Sequence, residues 1–162
     1  MARVFVSIGS NIEREKHIRG ALDSLRNRYG ELVISTVYET RAVGFNGDNF
    51  FNLVAAFETD ELPQEVTRNL RAIEDQHGRE RQGPPFAART LDIDMLLYDD
   101  LVVDEPNVKI PRNEITRYAF VLKPLTDIAG DLKHPVTGKT YRELWEAFDD
   151  HEQALWPVEL TQ

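Results

Sequence analysis

An α/β chain of the α+β kind, built on a βαββαβ core, is predicted from two observations. Apolar runs of strand length alternate with stretches whose apolar residues recur at helical spacing, and the switches fall at Gly, Pro or Asn/Asp-containing turns. The chain has 162 residues, 41% of them hydrophobic, which is enough material for one compact domain over 1–162.

The first strand is VFVSI at 4–8, ended by Gly9-Ser10-Asn11. Ile18, Ala21, Leu22 and Leu25 then share one helical face, and Gly30 is placed to stop that helix. LVISTVY at 32–38 and FNLVAAFET at 51–59 are rich in β-branched and aromatic residues and read as strands; the stretch from Arg41 to Asn49 between them reads as a long loop. Pro63 suits the first turn of a second helix, with Val66, Leu70 and Ile73 as its buried stripe and Gly78 beyond its end. LDIDMLLY follows as a strand, then a turn at Asp99-Asp100 and a short LVV strand. This order is the pattern of a ferredoxin-like sheet with both helices on one face. An extra C-terminal hairpin and helix are expected to give it a three-layered character; Thr140 with Glu143 forms a capping box there, and Tyr141, Leu144, Trp145 and Phe148 stripe the helix.

Composition excludes several functions. Nineteen Lys and Arg against 28 Asp and Glu leave a net charge of −9, which argues against a general nucleic-acid binder. The absence of cysteine excludes disulfides and Cys-based zinc sites and suits a reducing compartment. No apolar run has the length of a membrane span, and MARVFVSIGSN has no signal-peptide pattern, so a cytoplasmic protein is expected. The four histidines show no metal-ligand spacing, and neither G-x-x-x-x-G-K-S/T nor G-x-G-x-x-G occurs.

Two charges interrupt the strand at 91–98. Alternation sets Leu91, Ile93, Met95 and Leu97 on one face and Asp92 and Asp94 on the other, about 6–7 Å apart. Adjacent like charges call for water or a cation to screen them, and Mg²⁺ suits because it takes one or two carboxylates and completes its shell with water and phosphate. A solvated strand face is the alternative, and the flanks weigh against it. From Arg68 to Arg89 the cationic residues are Arg68, Arg71, Arg79, Arg81 and Arg89, with no lysine among them. Arg68 fits the wet face of the second helix, whereas Arg79, Arg81 and Arg89 flank the Gly/Pro-bearing loop RERQGPPFAAR, a candidate phosphate lid.

Read together, these segments resemble the 6-hydroxymethyl-7,8-dihydropterin pyrophosphokinase family. The likeness runs through IGSN at 8–11, Tyr38-Glu39-Thr40, FFN at 50–52, Ile73-Glu74, HGR at 77–79, ARTLDIDMLLY at 88–98, Ile110-Pro111, FVLKPLTDIA at 120–129 and HPVTGKTY at 134–141. The resemblance implies transfer of pyrophosphate from ATP to the pterin hydroxymethyl group, releasing AMP, in folate biosynthesis. It further implies that Asp92 and Asp94 bind two Mg²⁺ ions and that Arg79 and Arg89 assist catalysis. Thr40, Val43, Phe50, Asn52 and Phe120 are then expected to hold the pterin, with Phe50 and Phe120 stacking on it. Arg71, Glu74, Arg81, Met95, Lys109 and Arg112 are expected on the nucleotide side. A monomer acting on small molecules, without nucleic acid or membrane, is implied.

The chain departs from the family at named positions. Pro84-Pro85-Phe86-Ala87-Ala88 stands where a basic residue, an aromatic and Gly-Pro are usual, Arg71 where glutamine is common, Arg112 where histidine is usual, and Tyr118 near an expected arginine. Proline stiffens the loop, and Pro85 supplies neither charge nor amide donor, so the departures bear on lid closure and ATP affinity. A divergent relative that binds pterin or nucleotide with little or altered turnover is the second expectation.

Overall fold

The computed structural model describes residues 1–41, 47–78, 91–149 and 153–160. Strand β1 (Ala2–Ser10) leads to helix α1 (Arg14–Tyr29), which buries the predicted stripe of Ile18, Ala21, Leu22 and Leu25. Gly30 ends the helix with φ 82°, a conformation open to glycine, and its N–H donates to the Arg26 carbonyl. The strand expected over 32–38 is divided into β2 (Val33–Ile34) and β3 (Val37–Thr40). Ser35 is the reason: its N–H donates to the Val54 carbonyl, and its hydroxyl accepts the Val54 N–H, each at 2.9 Å, so a side chain takes the place of a ladder carbonyl. Next come β4 (Phe50–Thr59), α2 (Pro63–Gln76) with Pro63 in its first turn, and β5 (Asp92–Tyr98).

A hairpin of β6 (Val103–Glu105) and β7 (Val108–Ile110) follows. Its first strand starts at Val103, so the LVV strand expected at 101–103 is corrected: Leu101 and Val102 are exposed. The remaining elements are α3 (Glu114–Arg117), α4 (Ala119–Ala129), α5 (Tyr141–Glu146) and β8 (Leu155–Val158). The Thr140 and Glu143 capping box forms as predicted. Helix α4 has no counterpart in the periodicity reading because Pro124 sits inside it, removing the N–H that would donate to the Phe120 carbonyl. No helix among the described residues is long and apolar enough to cross a membrane.

The main sheet is antiparallel in the order β5-β1-β4-β3-β8, with β2 also on β4. Each βαβ unit is therefore split by a strand of the other. Both α1 and α2 cover one face, burying Val4, Val6, Ile8, Leu53, Phe57 and Ile93 beneath Ile18, Leu25 and Leu70. On the opposite face, Phe5, Val54, Ala56, Leu96 and Leu97 pack under Ile115, Leu122 and Leu125 of α3 and α4. Helices thus sandwich the sheet, and each fully buried aliphatic side chain contributes roughly 1.5–3 kcal/mol.

One facing assignment is overturned. Leu97 was expected beside Ile93 and Met95, yet it belongs to the opposite core cluster. The register shifts on β5, pairing Val6 with Met95 but Phe5 with Leu97, so Leu96 is an extra residue and alternation reverses beyond it. A second contact crosses between helices: His17 of α1 and His77 after α2 meet Nδ1 to Nδ1 at 2.7 Å. Burial lowers the pKa of both, which favours the neutral pair in which one ring donates to the other.

Candidate active site

The site occupies the sheet face shared with α4, on strand ends that α4 leaves uncovered. Register aligns Asp92 of β5, Gly9 of β1, Asn52 of β4 and Tyr38 of β3 in one row, and Asp94, Ser7 and Val54 in the next. Asp92 and Asp94 are both partly exposed, while Ile93 between them is buried on the other face. Alternation therefore delivers the paired carboxylates that the sequence predicts.

Residues of α2 reach this pair around the outer edge of β5. Glu74 is fully buried and accepts the Ile93 N–H at 2.8 Å, satisfying a backbone donor on the open edge of the sheet. Arg71, one helical turn earlier, pairs with Glu74 and stands 3.1 Å from Asp94 Oδ1. From the other side Arg112 approaches Asp94 at 4.0 Å, while its Nε donates to Glu114 at 2.8 Å and its backbone N–H to the carbonyl of the bulged Leu96 at 3.1 Å. The bulge thus fixes the start of the segment that carries Arg112. Burial alone would lower the pKa of both arginines, but the carboxylates around them outweigh it: Glu74 and Asp94 raise Arg71, and Asp94, Glu114 and Asp92 raise Arg112. Of the nucleotide-side expectations, Arg71, Glu74 and Arg112 therefore converge on the aspartates.

Two others do not. The Met95 side chain is buried in the α1/α2 core, on the face opposite the carboxylates. Lys109 is exposed on β7, paired in register with Asp104. Arg79, Arg81, Arg89 and the Pro84-Pro85 loop lie outside the described residues, as does Val43.

Beyond Gly9 the row continues into a polar pair. Thr40 and Asn52 are both buried, and Asn52 Nδ2 donates to Thr40 Oγ1 at 2.8 Å. Phe50 is half-buried at the start of β4, with the same facing as Asn52. Phe51 points to the other face, where the Arg14 guanidinium lies 4.0 Å over its ring. Phe120, in the first turn of α4, is half-buried and stacks on Tyr118 with centroids 5.1 Å apart. Tyr38 ties this end of the sheet to α4: its hydroxyl donates to Asp127 at 2.5 Å, and Lys123 also donates to Asp127.

No cluster of three or more His, Cys, Asp or Glu side chains able to hold a metal exists among the described residues. Two adjacent carboxylates on an open face fit Mg²⁺, which fills the rest of its shell with water and phosphate oxygens, and do not fit a closed structural zinc site. Ser7, Gly9 and Glu114 join the site without having been singled out from the sequence. Ser7 and Gly9 carried a faint signal, since they are the two non-apolar positions of VFVSIG with the same parity.

The family profile described as 7,8-dihydro-6-hydroxymethylpterin-pyrophosphokinase (HPPK) matches residues 5–130. The chain is 36% identical over 145 residues to the 2-amino-4-hydroxy-6-hydroxymethyldihydropteridine pyrophosphokinase of Aquifex aeolicus, covering 88% of this chain and 90% of that one. It is 38% identical over 141 residues to the enzyme of the same name from Pseudomonas aeruginosa, covering 82% and 84%. Among solved structures it resembles Plasmodium falciparum HPPK-DHPS with a TM-score of 0.70 at 15% identity, over 90% of this chain. It spans 43% of that longer chain. The chain belongs to the 7,8-dihydro-6-hydroxymethylpterin-pyrophosphokinase family.

Proposed function

We propose that this chain transfers the pyrophosphoryl group of ATP to the hydroxymethyl oxygen of 6-hydroxymethyl-7,8-dihydropterin, releasing AMP, as a step of folate biosynthesis. The observation that carries the reading is the row Asp92, Gly9, Asn52: carboxylates for a metal-bound phosphate chain lie two strands from a buried amide suited to a heterocycle. At about 4.8 Å per strand, the two ends are about 10 Å apart, the scale of a bicycle and its phosphate acceptor arm.

The substrate alcohol attacks the β-phosphorus, giving up its proton to water, and the bond from that phosphorus to the α-phosphate oxygen breaks, with AMP carrying that oxygen away. Asp92 and Asp94 would hold Mg²⁺, two ions in the full complex, and the bound cation would supply neutralisation of phosphate charge there. Arg71 and Arg112 neutralise Asp94 when it has no cation and turn to phosphate oxygens when it does, with Glu74 holding Arg71 in place. Arg79 and Arg89 stabilise charge on the transferred group, and Arg81, Lys109 and the Met95 backbone line the nucleotide side. Asn52 and Thr40 read the amide-like edge of the pterin, with the segment around Val43 closing on it and Phe50 and Phe120 on its faces. We read the chain as one domain over 1–162, monomeric and cytoplasmic; its lack of cysteine supports a reducing compartment. The alternative of a chain with little turnover rests on the Pro84-Pro85 loop, which is outside the described residues.

Turnover followed by pterin pyrophosphate formation tests the reading. Product should form only when ATP, hydroxymethyl-dihydropterin and Mg²⁺ are all present. Formation that survives removal of divalent cations by a chelator would refute the metal-dependent assignment.

A further inference from the structure

Gly9 lies in the interior of the sheet, paired with Asn52 on one side and Asp92 on the other. It is partly exposed although strands flank it on both sides, so the face above it is open. Its backbone is not among the positive-φ glycines, so conformation does not call for glycine here. Space does: a Cβ at this position would stand 2.7 Å from Asn52 Oδ1 and 3.8 Å from its Cγ. The carboxamide oxygen of Asn52 therefore rests over Gly9 while its nitrogen donates to Thr40 Oγ1 at 2.8 Å. Thr40 anchors the amide nitrogen, and the absence of a side chain on Gly9 leaves room for its oxygen.

We infer that Gly9 is a positioning residue for substrate recognition, the bare floor that lets the Asn52 amide lie across β1 and display its acceptor and its second N–H in a fixed order. This rests on the pterin reading above. A heterocycle edge that offers a donor beside an acceptor meets that pair in one orientation only. A side chain at position 9 would meet the Asn52 oxygen and turn the amide away.

The test is a set of fluorescence titrations with hydroxymethyl-dihydropterin and, separately, with Mg²⁺ and a non-hydrolysable ATP analogue. Wild type, Gly9→Ala, Asn52→Ala and the double variant are compared, with thermal melts to establish folding. Gly9→Ala should raise the pterin Kd by at least about tenfold, the scale of a lost hydrogen-bond pair. Its nucleotide Kd should change much less, because the nearest side chain that a Cβ at position 9 meets is Asn52 and not Asp92. The double variant should bind pterin no worse than Asn52→Ala, because Gly9 acts through that amide. Should Gly9→Ala fail to fold, the double variant, which lacks the colliding oxygen, carries the comparison with Asn52→Ala alone. Additive pterin losses, or an equal loss for nucleotide, would overturn the inference. Wild-type protein that binds no pterin would overturn the underlying reading as well; wild-type binding with an unchanged Gly9→Ala would overturn the role of Gly9 alone.

Discussion

Replacing Arg71 by alanine should destabilise the protein far more than loss of a surface ion pair. Glu74 has no exposed side-chain surface, and its carboxylate is shared between the Ile93 N–H and the Arg71 guanidinium. Deleting one partner of a buried ion pair leaves the remaining charge less well compensated, at a cost of about 3–5 kcal/mol. For a chain of this length 1 kcal/mol corresponds to about 2–4 °C, so the melting temperature should fall by about 6–20 °C. The double variant Arg71→Ala/Glu74→Gln removes the charge on Glu74 but keeps a side-chain oxygen for Ile93, and should recover about 1–3 kcal/mol of the loss. Urea unfolding of the single and double variants, extrapolated to water, measures both quantities. A cost for Arg71→Ala below about 1 kcal/mol would equal that of an exposed pair and refute the buried-anchor reasoning. Because the bond to Ile93 lies between Asp92 and Asp94, Arg71→Ala should also weaken binding of Mg²⁺ with the ATP analogue.

Three further outcomes are expected. Asp92→Asn and Asp94→Asn should each abolish turnover while leaving far-UV circular dichroism unchanged, since shape is kept and a metal-directed charge is lost; substantial residual activity would contradict the metal role. Phe120→Ala should weaken pterin binding by about 1–3 kcal/mol through lost stacking area, read from a pterin titration, and an unchanged Kd in a folded variant would assign Phe120 to packing. Glu61 accepts hydrogen bonds from Tyr29 at 2.6 Å, Arg28 and Asn69. Burial pushes its pKa up, but those bonds and the Arg28 charge outweigh it and leave the pKa lowered. A depressed folded-state pKa contributes stability above the unfolded value of about 4.3, lost as pH falls through the folded one. The gap in urea midpoint between wild type and Glu61→Gln should accordingly shrink below about pH 4, and a gap independent of pH would contradict the assignment.

The legible parts of this fold were those with a local physical signal. Pro63, Gly30 and the Thr140–Glu143 pair mark helix ends through their own backbone or side-chain chemistry, and each stands where predicted. Asp92 and Asp94 were readable because strand alternation needs only neighbours in sequence. What escaped depends on distant partners. The break at Ser35 exists because Val54 supplies the donor, and the facing of Leu97 depends on a bulge set by pairing with β1. Helix α4 was hidden by Pro124, whose local cost is offset by burial of Leu122 and Leu125 against β4. Glu74 was named through the family resemblance, but its contact with Ile93, like the overlap of Asn52 with Gly9, is a property of packing.

The central claim is tested most directly by the nucleotide product. When purified protein is incubated with ATP, Mg²⁺ and 6-hydroxymethyl-7,8-dihydropterin, and the nucleotides are separated chromatographically, AMP should appear in equal amount to the pterin consumed. That ratio follows from attack at the β-phosphorus with both outer phosphates transferred together. ADP in place of AMP would mean attack at the γ-phosphorus and would contradict the pyrophosphoryl assignment.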